Sequence, residues 1–302
     1  MRSKLSFVLS TIMVLTFAVS VSGHAPVGEV FFAAQFPDDG VPTIDGDPRD
    51  WDIVPETPYH IRDDRMQGSD PDIGLRDPGT TDPSNFSMNS VIGWNESSNR
   101  IYFLVEVFDN IHNVDRDDVS RFWEDDDLEI NLNGDNTGQD EASLEGEPLN
   151  NHYYGFVVPP VEGQYFYPYN LGNTSEWLVP GSDYLDFGWS NTGDPFGEST
   201  YYYEVSMQVF LTIPRTESPT PADTEILDLE EGEVFHFSID IGDFDEPGSS
   251  YESFWSVSDD RACCSANSDL FLAEVDPLLE AALADRPTAI EDASWGRIKA
   301  VH

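Results

Sequence analysis

The chain has 302 residues, and its 58 acidic and 14 basic side chains give a formal net charge of −44 at pH 7. A surface with this charge repels nucleic acid and anionic membranes, which excludes proteins that bind either of them mainly by charge. The same surface attracts cations, for which carboxylate oxygens are suitable ligands.

The acidic residues are spread along the whole chain, whereas Lys4 and Lys299 are the only lysines. This composition is typical of proteins adapted to brine, where salt screens the repulsion among acidic side chains. We therefore expect most carboxylates to serve as an adaptation to salt and only a few to bind metal.

The first residues have the pattern of a removable secretory signal. Arg2 and Lys4 precede an apolar stretch over residues 5–21, and small side chains follow at residues 22 and 23. The stretch is short for a membrane span of about 20 residues, and no basic cluster follows it. We expect a signal peptide over residues 1–23, export to the extracellular space or periplasm, and one domain over residues 24–302.

The rest of the chain contains many short segments in which polar and apolar residues alternate, as they do in half-buried β-strands. Most are rich in Val, Ile, Tyr and Phe, and turn residues separate them. The predicted strands are residues 29–34, 90–94, 100–109, 127–133, 153–158, 164–169, 201–210, 234–241, 253–257 and 295–301. This pattern predicts an all-β fold, an antiparallel β-sandwich with long acidic loop insertions.

Several connections are also predicted. Residues 62–85 are expected to form a long surface loop and residues 134–150 an acidic loop. A hairpin is expected around Pro159-Pro160, and only residues 277–284 are predicted to form a short helix. Trp51, Trp94 and Trp255 lie at strand edges or in apolar runs, so we expect all three in the core.

Cys263 and Cys264 are the only cysteines, and they are adjacent. They cannot join distant parts of one chain. The sequence leaves open a vicinal disulfide, two thiols or pairing between chains.

The order of several short motifs resembles that of family 9 carbohydrate-binding modules. The most specific of these motifs is the Trp-Glu-Asp-Asp-Asp-Leu-Glu-Ile block at residues 123–130. The others are residues 42–47 leading to Trp51, the strand 100–107 ending in Asp109, residues 203–205, residues 232–240 with Asp243, and residues 295–298. The resemblance spans residues 41–301 and implies a jelly-roll, DOMON-like sandwich that binds the terminal sugars of a polysaccharide beside glycoside hydrolases.

The resemblance also implies ligand-binding residues. Trp123 matches one of two aromatic side chains that grip a sugar ring, Glu129 matches a carboxylate that accepts sugar hydroxyls, and Asp126 lies in the same block. The second tryptophan of the family has no match, because residues 261–292 form a long insertion where it would stand, and a basic residue of a middle strand is replaced within residues 153–156. Trp177 and Trp189, in Gly- and Pro-rich segments, are the candidates for the missing second wall.

Calcium is the cofactor that the sequence predicts, in a structural role. Hard oxygen ligands in Gly- and Asn-containing turns suit this ion. The predicted ligands are Asp45 and Asp47 in one turn and Asp135 and Asp140 in another.

Two other functions are weighed against sugar binding. A glycosidase would need one defined pair of carboxylates, which this acidic chain does not single out, and no phosphate-binding loop or His-rich metal motif is present. A haem-binding electron-transfer module would need an axial pair, for which Met66, Met88 or Met207 could combine with a histidine. The candidate histidines are His60, His112, His152 and His236. We expect a binding module rather than an enzyme; a surface-interaction domain without a sugar ligand is a further alternative.

Overall fold

The computed structural model describes residues 28–70, 74–76, 81–116, 118–136, 150–169, 171, 176–214, 216, 218–245, 253–257 and 268–286. The predicted signal peptide, Asp140, the two cysteines and the predicted strand 295–301 lie outside these residues. The strands are β1 (Val30–Gln35), β2 (His60–Arg62), β3 (Gln67–Asp70), β4 (Gly74–Arg76), β5 (Phe86–Asn95), β6 (Arg100–Asp109), β7 (Leu128–Asn133), β8 (Asn151–Val161), β9 (Gln164–Pro168), β10 (Leu185–Gly193), β11 (Ser199–Met207), β12 (Phe210–Thr212), β13 (Glu225–Ile226), β14 (Val234–Asp243), β15 (Ser253–Ser256) and β16 (Ser268–Leu272), and the helices are α1 (Glu56–Tyr59) and α2 (Pro277–Ala284).

The strands form the two layers of a β-sandwich, which confirms the predicted fold class. One layer has the order β10-β11-β6-β5, with β2 also on β5. In the other layer, β14 pairs on one side with β7, which leads to β8 and β9, and on the other side with β16 and β15. β1 belongs to both layers, pairing in parallel with β16 at Val30 and with β5 at Ala34.

The main core lies between the two layers. Alternate residues of the central strands supply it, because successive side chains of a strand point to opposite faces. Phe31 and Phe237 meet edge-to-face at 5.3 Å between ring centroids, and Phe86 stacks on Trp255 at 5.7 Å. Trp94 is also fully buried there.

A second, smaller core covers the outer face of β5 and β6. Trp51 and Phe36 pack edge-to-face in it, and Leu279 of α2 is fully buried against the same cluster. This second core explains why β5 is buried on both faces. The three tryptophans that were predicted to be structural are therefore all in the core. Within the described residues, no helix has the length and apolarity that crossing a membrane requires.

Two predicted connections were wrong in detail. The turn between β8 and β9 lies at Glu162 and Gly163, both at positive φ, and Pro159-Pro160 lies within β8. A two-residue hairpin turn of this type needs positive φ at both central positions, which proline cannot adopt. The predicted loop 62–85 contains β3 and β4.

Candidate functional site

A row of buried polar side chains crosses the outer face of the β7–β14 layer. Leu128, Ile130 and Leu132 of β7 point into the main core, so the alternate residues of this strand point to the outer face. The neighbouring residues of β14 extend the row, because directly opposite residues of paired strands share a face. The row, called here the polar row, consists of Glu129, Asn131, Asn133, Ser238 and Asp240, all at most 5% exposed.

Hydrogen bonds connect most of this row. Asp240 accepts from the Asn131 amide at 3.1 Å and from the Ser238 hydroxyl at 2.8 Å. Two buried atoms, Asn131 Oδ1 and Asn133 Nδ2, have no hydrogen-bond partner within the described part of the chain. Buried polar atoms are rarely left unpaired in folded proteins.

An aromatic cluster lies beside the row at the start of β7. It consists of Phe122, Trp123, Tyr153 and Tyr169 and is called here the aromatic wall. The first two residues belong to a 3-10 turn, Val119–Glu124, which begins where the Asp118 side chain accepts from the Ser120 N–H at 3.0 Å. Trp123 and Tyr169 meet edge-to-face at 5.4 Å, and Tyr169 is 38% exposed while Trp123 is partly exposed.

The wall and the row are in direct contact. The Tyr153 hydroxyl donates to Glu129. Phe122, fully buried, packs edge-to-face on Tyr153 at 5.5 Å and on Trp123 at 5.3 Å. Trp123 and Glu129 are therefore part of one assembly, joined through two intervening rings.

Burial sets the protonation of this assembly. It raises the pKa of Tyr153 well above the usual range, and the neighbouring Glu129 charge adds to the effect. The pKa of Asp127, which is fully buried beside Glu129, is also raised by burial and then by the Glu129 charge. Tyr153 consequently remains a hydrogen-bond donor to Glu129 at any physiological pH.

The other predicted ligand residues lie elsewhere. Asp126 points to a group of buried carboxylates with Asp109 and His112. Trp177 donates its indole N–H to the Pro219 carbonyl at 2.7 Å and packs on Phe210.

Phe210 lies beside Gly134, the residue directly after β7. Its carbonyl oxygen would be 2.8 Å from a Cβ atom added at Gly134. Trp177 is thus near the end of β7 that is distant from Trp123. Trp189 stacks on Tyr201 of β11, in the other layer. Tyr169, which the sequence did not single out, is the exposed aromatic residue that contacts Trp123, whereas Phe122 contacts it from the buried side. The place of Tyr169 at the end of the predicted strand 164–169 was the available signal.

The predicted calcium ligands that the structure describes, Asp45, Asp47 and Asp135, take part in local hydrogen bonds. Asp47 accepts from the Arg49 guanidinium, which holds the pKa of Asp47 down at about 2. Asp45 accepts from the Asp47 N–H at 3.0 Å, and Asp135 accepts from the Asn150 amide. The haem alternative involves three methionines, Met66, Met88 and Met207, which all lie in the hydrophobic core.

No family model matches the sequence, and no curated protein matches it. Among solved structures, the chain is similar to a family 9 carbohydrate-binding module from Caldicellulosiruptor kristjanssonii in complex with cellotriose, at 12% identity, with a TM-score of 0.49 over 82% of this chain and 96% of that one. It is also similar to a family 9 module from the same organism in complex with glucose, at 13% identity, with a TM-score of 0.48 over 82% of this chain and 98% of that one.

Proposed function

We propose that this chain is a non-catalytic carbohydrate-binding protein whose ligand contacts the aromatic wall. The observation that carries the proposal is the position of Trp123 and Tyr169, partly exposed and perpendicular, next to a buried row of carboxylate, amide and hydroxyl groups. The polarity of this row is unusual, because the residues facing away from a sheet core at such low exposure are normally apolar.

The chemistry of the wall and row fits a sugar. A pyranose ring has an apolar face of C–H groups, which stacks on an aromatic ring, and a rim of hydroxyls that both donate and accept. Asn131 Oδ1 and Asn133 Nδ2 offer an acceptor and a donor that the described residues leave unused. Glu129 would accept a sugar hydroxyl in the place of the Tyr153 hydroxyl, because the two donors are chemically alike.

The polar row is buried more deeply than the aromatic wall, and this difference determines which of the two a ligand contacts first. Glu129 is only 1% exposed, whereas Tyr169 is 38% exposed. We therefore propose that a ligand first contacts Trp123 and Tyr169, and that a terminal sugar reaches the row past these rings. We propose a terminal sugar as the ligand for this reason.

The test is a glycan panel on the mature protein, followed by calorimetric titration of each glycan bound. Trp123→Ala removes a stacking ring. By analogy with nucleic-acid bases stacked on aromatic side chains, this should cost about 1–3 kcal/mol, or roughly a tenfold to hundredfold loss of affinity. Tyr169→Ala should weaken binding in the same direction. Phe196→Ala is the control, since it deletes a ring that is 58% exposed in the turn between β10 and β11.

Three results would overturn this proposal: no binding across the panel, unchanged affinity in both wall variants, or an equal loss in Phe196→Ala. If Trp123→Ala does not fold, Tyr169→Ala decides, because this more exposed ring contributes less to the core. Glu129→Gln then separates the two parts of the site, since only a ligand that contacts the row loses affinity on this substitution.

Export and a partnership with a glycoside hydrolase are also part of the proposal. Mass spectrometry of the secreted protein, with an N-terminus at residue 24, would support export. Incubation of the protein with an oligosaccharide that it binds should release no new reducing ends, because we propose that the protein is not catalytic. Release of such ends would instead indicate an enzyme.

A further inference from the structure

The outer face of the β10-β11-β6-β5 layer is open where the covering by the second core ends. Tyr201 and Tyr203 of β11 point into the main core, so Tyr202 and Glu204 point to the outer face. Glu204 is buried there and accepts from the indole N–H of Trp51, a residue of the second core, at 2.7 Å. Tyr202, by contrast, is partly exposed. The covering therefore ends between these two outward-facing residues of β11.

A cavity lies at this border. Its volume is about 470 Å³, which is within the range of about 300–1,000 Å³ that small-molecule sites have. Ser190, Thr192 and Tyr202 form its floor, and the turn at residues 45–49 forms its wall. The cavity is open to solvent, so a ligand can enter without a movement of the chain.

The wall of the cavity is fixed by hydrogen bonds to the strands below it. Glu204 accepts from the Asp45 N–H at 2.9 Å and from the Gly46 N–H at 2.5 Å, and the Ser190 hydroxyl donates to the Gly46 carbonyl at 2.5 Å. Gly46 has a φ of +86°, and a Cβ atom there would be 2.4 Å from the Trp189 carbonyl, so the turn lies directly on the backbone of β10. A wall that is already ordered loses little conformational entropy when a ligand binds.

The floor combines an aromatic ring with hydroxyl groups. Ser190 lies directly opposite Tyr202 in the register of β10 and β11, and Thr192 lies beside the Tyr202 hydroxyl. Because Ser190 donates its proton to Gly46, its oxygen can accept from a ligand hydroxyl. An aromatic ring surrounded by hydroxyls is suited to a pyranose, which has an apolar face of C–H groups and a rim of hydroxyls.

The charges of the wall favour a neutral ligand. Asp47 accepts from the Arg49 guanidinium at 2.8 Å, so these two side chains neutralise each other. Asp45 then gives the lining a net charge of −1, from two acidic residues and one basic residue. This charge repels an anion. A calcium ion takes about 6–8 oxygen ligands, of which a single carboxylate supplies at most two.

We propose that this cavity binds a neutral saccharide unit, with the Tyr202 ring against the apolar face of the sugar. Ser190, Thr192 and Asp45 form hydrogen bonds with its hydroxyls. The polar row and the aromatic wall lie on the outer face of the opposite layer, with the main core between, so the cavity is a second and separate site. The argument for it uses none of the residues of the aromatic wall, and it stands or falls independently of the proposed ligand there.

The test uses the full mature chain carrying Trp123→Ala, so that the aromatic wall does not contribute. Methyl glycosides of glucose, galactose, mannose and xylose are titrated while the backbone amides are followed by nuclear magnetic resonance. At least one glycoside should shift the amides of Gly46, Ser190 and Tyr202 along a common saturable curve. The dissociation constant should be on the order of millimolar, as expected for a ligand this small.

Two results of this titration would overturn the proposal: no shift at these amides with any of the four glycosides, or shifts spread over the surface without saturation. Tyr169→Ala replaces Trp123→Ala as the background if the latter does not fold. Since the readout comes from amides on β10, β11 and the turn, a failure of the aromatic wall to bind sugar leaves this result unchanged.

Substitutions in the floor locate the ligand. Tyr202→Ala should weaken binding at the cavity roughly tenfold, by the stacking argument used for Trp123. Thr192→Val keeps the shape of an exposed side chain, removes its hydroxyl and should also weaken binding. Phe196→Ala deletes an exposed ring of the same hairpin outside the cavity and should leave the affinity unchanged.

Unchanged affinity in both floor variants, or an equal loss in the control, would show that the saccharide binds elsewhere. If Tyr202→Ala does not fold, Thr192→Val decides, because this residue is exposed and its replacement has the same shape.

Discussion

Phe122 lies directly over Gly155: a Cβ atom added at Gly155 would be 2.4 Å from Phe122 Cγ. Gly155 is paired with Glu129 in the register of β7 and β8. The Phe122 ring therefore occupies the place that a side chain on β8 would fill beside Glu129. The absence of a side chain at residue 155 is what brings the aromatic wall to the polar row.

Gly155→Ala should displace Phe122 and, with it, Trp123. Inserting a methyl group into a packed site usually costs about 1–3 kcal/mol of stability, and sugar affinity should fall with it. Urea unfolding and calorimetric titration measure the two effects. Adding Phe122→Leu should recover part of the stability by making room, since contacting residues are not additive. A Gly155→Ala protein with the parent midpoint and affinity would show that the contact does not position the wall.

Glu204 of β11 should be essential for the turn at residues 45–46. Its buried carboxylate accepts from the Asp45 N–H at 2.9 Å, from the Gly46 N–H at 2.5 Å and from the Trp51 indole at 2.7 Å. Glu204→Gln places an NH₂ group or a weaker acceptor against these donors. Leaving buried donors unpaired costs about 1–3 kcal/mol, measurable as a lower urea midpoint. Glu106→Gln on the neighbouring strand β6 is the control, and an equal loss there would refute a specific role.

The turn also shows why part of the fold could not be predicted from the sequence. A Cβ atom at Gly188 would lie 2.7 Å from the backbone nitrogen of Gly46, so β10 needs glycine where the distant turn crosses it. This glycine and Gly193 interrupt the alternating pattern of β10, and the strand was missed. By contrast, α2 was predicted with its observed bounds, because Asp276 caps it and Pro277 begins it.

The candidate site could likewise be predicted from the sequence only in part. Trp123 and Glu129 belong to one short block of the sequence, and the resemblance of that block to a known family was what singled them out together. Asp109 and Asp243 end strands that are far apart in the sequence, and only the topology brings them into one group. The position of each at the end of a strongly apolar strand was the available signal.

Alkaline pH should destabilise the protein through its buried tyrosines. The pKa of Tyr59 is raised to about 12 by burial and by Asp276, to which its hydroxyl donates at 3.3 Å. The folded state thus keeps a proton that the unfolded chain loses near pH 10, and stability falls as the pH rises from about 10 to about 12. In Tyr59→Phe, the free energy of unfolding should fall less steeply with pH, because the variant lacks the one proton that Tyr59 contributes. Urea unfolding between about pH 10 and about pH 12 measures this slope. An equally steep decline in the variant would exclude Tyr59 as a contributor.

Salt should strongly stabilise the folded chain, and the size of this effect should be the same for different monovalent cations. At a net charge of −44, self-repulsion opposes the compact state. The screening length falls from about 30 Å at 0.01 M to about 3 Å at 1 M salt, so most of the repulsion is removed over this range. The urea midpoint should therefore rise between these concentrations; urea is uncharged and does not add to the screening.

Sodium and choline chloride should give matching curves, since screening depends on charge and not on ion identity. The series is run in chelator, so that specific binding of calcium does not contribute. A midpoint that is independent of salt would contradict brine adaptation, and a rise with sodium alone would indicate specific sodium binding instead of screening.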